Sequence, residues 1–334
     1  MIKRLLVVGI TTALLVGCSS KKYFEPKTSV ADARYNGSYL TSIIDQTRDG
    51  ATLSDGRVIT KVDGLLQSGK LPKGFRYINS TADTIISADI LGNLYLMSKS
   101  DFSVQKKIKF DTQILSATKD GSLLALVDAK NNIFLYDISL SKLLYKEQLH
   151  KTVAVDTRLA NPIFLNDIIV YPTLDGRLLV MNKFEKRVLR DIAISDNDIF
   201  NNVIYMSVSG DVLVASTRTK VIAVTTNDIK TYKEGVKDII YDTNKVYVFT
   251  KDGRVLLLSD SLQKQAELKL KNAIFSGAVA GANKLYVVEK MGYLIEIEKD
   301  LSSYKVKKLD DEVKSPVFGA NKRVYIGDKY ILLP

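Results

Sequence analysis

Residues 245–259 read KVYVFTKDGRVLLLS. Two runs of β-branched, aliphatic and aromatic residues, 246–249 and 255–258, flank Asp252-Gly253. Such runs around Asp-Gly predict a β-hairpin, because glycine enters the positive-φ conformation that a tight turn requires. Consecutive residues in both runs are apolar, where a half-exposed strand would alternate apolar with polar. Both faces of this hairpin therefore need cover.

The unit recurs. In chain order the stretches are SDGRVIT, LGNLYLMS, KNNIFLYD, LDGRLLVMN, RTKVIAVT, KDGRVLLLS, MGYLIEIE and GDKYILLP. They are anchored on Gly56, Gly92, Asn131, Gly176, Thr219, Gly253, Gly292 and Asp328, spaced 34 to 45 residues apart. After every anchor, the second and third residues are apolar or aromatic, from Val58-Ile59 to Tyr330-Ile331. A β-rich run precedes most anchors, and a polar stretch and a third run follow, as in KLLYKEQL and RVLRDIAI. Each unit thus predicts a small antiparallel sheet of three or four strands.

Small sheets that need cover on both faces, repeated at about 40 residues, stack around an axis. The expected fold is all-β: a β-propeller over residues 37–334, with eight blades of about four antiparallel strands. A β-sandwich is the alternative, but its strands have no reason to recur at a fixed interval. The first unit is the thinnest, with only ATLS before Asp55-Gly56, and leaves a count of seven open. The last unit ends at YILLP without an outer strand. GSYLTSIID, at 37–45, is placed to supply it, pairing the N- and C-terminal strands and removing an exposed edge.

The only cysteine, Cys18, follows a basic MIKR and an apolar run too short for a comfortable membrane span. Leu15-Val16-Gly17-Cys18 resembles the lipobox of bacterial lipoproteins. The resemblance implies a signal peptide at 1–17, lipidation of Cys18, and a lipidated tether at 18–36. An ordinary secretory signal or an uncleaved anchor is the alternative. Each buried acyl CH₂ contributes about 0.8 kcal/mol, and two or more chains hold a protein stably to a bilayer. Ser19 stands where an aspartate would, by the sorting pattern of such proteins, imply inner-membrane retention; the expected address is the outer membrane, facing the periplasm.

Composition is ordinary for a globular chain, with 46% hydrophobic and 25% charged residues. Cleavage before Cys18 removes Lys3 and Arg4 and lowers the net charge from +11 to +9. No dense Lys/Arg block accompanies that charge. For an exported protein, anionic lipid, lipopolysaccharide or an acidic protein face is the relevant partner, and nucleic acid is not expected. A metal site wants clustered His, Cys or carboxylates, and a Ser/His/Asp triad would have to use His150, the single histidine. Asp120, Asp175 and Asp252 read as turn formers. No phosphate-binding or dinucleotide-binding glycine motif is present. The expectation is a protein that is not an enzyme, with no catalytic, metal or cofactor site.

DGRLLVMNKFEKRVLRDIAI and DGRVLLLSDSLQKQAELKL resemble, in half of the motif, the repeat of pyrroloquinoline-quinone-like propellers. That repeat continues to Thr-Gly and a blade-docking tryptophan, and this chain has neither, so quinone chemistry is not implied. A lipobox followed by a cofactor-free eight-bladed propeller resembles the BamB family of outer-membrane lipoproteins. The resemblance implies a monomeric scaffold within a complex, docked on the periplasmic domains of the central barrel-assembly protein, with unfolded outer-membrane proteins as further partners. The family's contact loop, Leu-x-Leu-Arg followed by proline, corresponds to Val155, Thr157, Arg158 and Pro162; Thr157 departs from the apolar pattern. The alternative function is a surface-exposed adhesin or ligand-binding propeller.

Overall fold

The computed structural model describes residues 22–27, 30–152, 154–156, 158–195 and 199–334. Cys18, the segment 1–17 and Thr157 lie outside the described residues. Those described contain no helix and form eight separate sheets. Blade 1 spans residues 43–65, blade 2 76–109, blade 3 114–148, blade 4 163–193, blade 5 205–233, blade 6 236–269, blade 7 275–308 and blade 8 317–332. The count of eight holds, and the thin first unit is a blade of its own. Its strands, Ile43–Gln46, Gly50–Leu53, Val58–Thr60 and Gly64–Leu65, are the shortest set in the ring.

All eight anchors fall in the turn between the second and third strands of a blade. Gly253 has φ of 82° and Gly292 of 81°. A Cβ on Gly292 would lie 2.2 Å from the Asp311 carbonyl oxygen, so a side chain is excluded by contact as well as by conformation.

Eight apolar clusters hold the ring, one between each successive pair of blades among the described residues. The period of two explains how one strand serves two interfaces. In Lys245–Thr250, Val246 and Val248 pack toward blade 5, while Tyr247 and Phe249 pack toward blade 7. Phe249 meets Phe275 edge-on at 5.9 Å between ring centres. Where a tryptophan would stand in related repeats, the interfaces are filled by aliphatic side chains, joined by Phe and Tyr at all but the one between blades 4 and 5. Outer strands such as Lys142–Gln148 are largely exposed and rich in lysine, which blunts their free edges.

Closure is by a strand from the far end of the chain. Gly37–Ser38 pairs antiparallel with Lys329–Leu332 as the outer strand of blade 8, with Gly37 opposite Tyr330 and Ser38 opposite Lys329. The remainder of the expected strand, Ile43–Gln46, is the innermost strand of blade 1. The segment read as a tether is partly folded onto the ring. Val30–Asp32 adds to blade 7 as a fifth strand, parallel to Tyr304–Lys308. Phe24 is buried between blades 6 and 7, edge-on to Tyr293 at 5.5 Å.

Candidate functional site

The innermost strands enclose an axial channel of about 1230 Å³. Antiparallel order places the second-to-third turns and the inter-blade connections on one rim, and the other turns on the opposite rim. In blade 1 the turn after the first strand, at Thr47, Arg48 and Asp49, lines the channel.

The turn is bonded across the ring. Arg48 Nε donates to the Ile204 carbonyl at 2.6 Å, and its Nη1 pairs with Asp238 at 2.6 Å. Its guanidinium also stands over the Tyr205 ring at 5.5 Å. Thr47 Oγ1 donates to the Ile78 carbonyl, and Asn161 Nδ2 donates to Asp49 at 2.6 Å. Blade 1 is thereby tied to blades 2, 5 and 6 and to the connection that leads into blade 4.

A second charged cluster adjoins the first. Asp156 accepts from Arg158 Nε at 3.1 Å and Nη2 at 2.8 Å, and lies 3.3 Å from Arg218. Burial raises the Asp156 carboxyl, but the Arg158 hydrogen bonds and charge, with Arg218 beside them, hold it down at about 2. Burial likewise raises Asp238, and Arg48 and Arg158 hold it below the ordinary carboxylate range. Lys237 is lowered by burial and by the nearby Arg158 charge. Four cations, Arg48, Arg158, Arg218 and Lys237, thus surround the two carboxylates Asp156 and Asp238.

The residues singled out from sequence divide. Arg158 is mostly buried, and its remaining Nη1 donates to the Lys237 carbonyl. Val155 packs half-buried against the cluster between blades 3 and 4, and Pro162 is buried. A partner that used this arginine would have to compete with its bonds to Asp156 and Lys237. His150 has a side chain 92% exposed on the rim, 4.0 Å from Asp175. Among the described residues, no three His, Cys, Asp or Glu side chains converge as metal ligands. Sequence reasoning missed Arg48, Arg218, Lys237 and Asp238, which are brought together only by ring closure. The local trace available was Asp156 two residues before Arg158, the spacing at which an Asx turn and an ion pair coincide.

Fold and channel together define an eight-bladed β-propeller of four-stranded antiparallel blades. No family model matches the chain. Among curated proteins, it is similar to the plasminogen-binding protein PgbB of Helicobacter pylori. The strain 26695 protein is 31% identical over 317 residues, covering 81% of this chain and 58% of the relative. The strain J99 protein is 32% identical over 326 residues, covering 84% and 60%. The chain spans about three-fifths of the length of these relatives. Among solved structures, BamB from Moraxella catarrhalis matches with a TM-score of 0.65 at 12% identity, covering 88% of this chain and 99% of that one. The C-terminal WD40 domain of Sif2 matches with a TM-score of 0.66 at 13% identity, covering 92% and 100%. At these identities the structural matches speak for the shared fold alone.

Proposed function

We propose that this chain is a non-enzymatic, protein-binding propeller of the outer membrane, anchored through a lipid on Cys18, and that its ligand is an external protein of the plasminogen type. The observation that carries this reading is the 31–32% identity to plasminogen-binding proteins, which runs through the propeller itself. A rigid ring with two rims of turns suits protein recognition. Two of the axial carboxylates, Asp156 and Asp238, are committed to arginines.

The test is binding of immobilised plasminogen to the detergent-solubilised full chain, with protease shaving of intact cells alongside. Saturable binding and removal by shaving are the expected results. Absence of binding would place the plasminogen function in the part of the relatives that this chain does not span, and the proposal would fail.

A second reading, a scaffold of outer-membrane barrel assembly, is favoured by the lipobox-like sequence at Cys18 combined with a BamB-like fold. It requires a periplasmic ring that resists shaving and crosslinks in cells to the central barrel-assembly protein.

A further inference from the structure

The folded N-terminal segment limits where an anchor at Cys18 can hold the ring. Phe24 is buried between blades 6 and 7, in one cluster with Leu270 and Ala273 of the connection that joins those blades. Its ring meets Tyr293, the residue that follows the second-to-third turn of blade 7, at 5.5 Å. Asn272, on the same connection, donates from Nδ2 to the Tyr23 carbonyl at 3.4 Å. These contacts all lie at the rim of the inter-blade connections. Phe24 stands six residues after Cys18, and six residues fully extended span at most about 20 Å. The middle strands of blade 7 have six residues each and are about 20 Å long before their turns are added. An anchor at Cys18 therefore cannot run down the outer edge and bring the opposite rim against a bilayer. The connection rim is the one it can hold there.

Exposed apolar side chains stand at several points of that rim. Leu40, fully exposed, lies in the link from blade 8 to blade 1. Ile90 and Leu91, 74% and 67% exposed, form the second-to-third turn of blade 2, four blades from blade 6 in a ring of eight. Tyr23 and Ile274, both exposed, flank Phe24 and Asn272 at blades 6 and 7. Points spread across the ring in this way define a face, not an edge. The opposite rim exposes Val62, Leu140 and Phe184 in its own turns, so apolar tips alone do not choose between the rims. Charge does not choose either, since the connection rim carries Asp111 and Asp311 as well as Lys109, Lys271 and Lys290. The short reach from Phe24 to Cys18 does.

We infer that the propeller lies face-on to the lipid bilayer that holds its anchor. The connection rim rests on the headgroups, Leu40, Ile90 and Leu91 enter the interface, and the opposite rim is turned away, open to protein ligands. This rests on the reading that Cys18 is lipidated. Apolar side chains at the headgroup boundary leave water without crossing the membrane, and they add to the hold of the acyl chains.

The chain has no tryptophan, so single tryptophans report position without background. The natively processed protein would be purified in detergent, its acylation read by intact mass, and the protein reconstituted into vesicles of phosphatidylethanolamine and phosphatidylglycerol with and without brominated lipid. Leu91→Trp is expected to shift its emission to the blue and to lose roughly half of it to brominated lipid, as rings at the interface do. Val62→Trp and Leu140→Trp, on the opposite rim, should lose less than about a tenth. All three positions are exposed, so the fold has room for the change. A flexible Gly/Ser insertion of about twelve residues after Ser20 should reduce the quenching at position 91 about twofold, because it lengthens the reach. Quenching at Ile274→Trp without quenching at Leu91→Trp would mean an edge-on ring and would overturn the inference. So would quenching on the opposite rim, or quenching at position 91 that the insertion leaves unchanged. A mass without acyl groups would remove the anchor and the orientation together, whereas acylated protein with no quenching at position 91 would overturn the orientation alone.

Discussion

Blade 6 and blade 1 occupy equivalent places in the ring and are held by different forces. Blade 6 has strands of six or seven residues whose alternate side chains fill two apolar interfaces. Blade 1 has strands of two to four residues and a smaller apolar share. It compensates by sending Arg48 and Asp49 across the channel into polar bonds, while Thr47 bonds to the neighbouring blade 2. A regular blade is stabilised by its neighbours, whereas the short blade is also stabilised by residues on the far side of the ring.

The comparison can be broken from its closing seam first. Removing residues 22–40 deletes both added strands and Phe24, and should lower unfolding stability by roughly 5 kcal/mol while exposing the outer edges of blades 7 and 8. Urea denaturation and light scattering would read the loss and any self-association. Phe249→Ala, in the heart of blade 6, should cost about 4 kcal/mol, since it empties a buried aromatic site. Arg48→Met should cost about 3 kcal/mol, because Asp238 is left buried without its ion pair. If Arg48→Met were silent, the cross-channel account of blade 1 would fail while that of blade 6 stood.

The smallest effect is a pH dependence. The Asp156 carboxyl lies at about 2 when folded and near 3.8 when unfolded, so its contribution is complete above about pH 5. It is lost as the pH falls from about 4 toward 2, and amounts to ~2 kcal/mol. Asp156→Asn should remove this portion of the acid limb, measured as urea midpoints between pH 5 and 2.

Much of the ring is legible in the sequence because its determinants are local. Gly253 and Gly292 mark turns by conformational need, and Tyr247 beside Val248 marks a strand covered on both faces. The closing strand was also legible, since a final unit ending at YILLP lacks an outer partner. Val30–Asp32 was not, because three residues carry no period and their pairing is set by the neighbouring Tyr304–Lys308. Phe24 is similarly silent in sequence, with a burial that depends wholly on a site between two distant blades. The same reason hides Arg48 and Asp238, 190 positions apart. Sequence spacing records the strands; it does not record which turns project into the axis.

The most direct test of a ring closed by its own N-terminal strand is a crosslink at the seam. Ser38→Cys and Lys329→Cys, opposite one another in the register, would be combined with Cys18→Ser and oxidised. Near-complete intramolecular disulfide formation with a raised melting temperature is the predicted result. Free thiols, or crosslinks only between molecules, would contradict the closed eight-bladed ring.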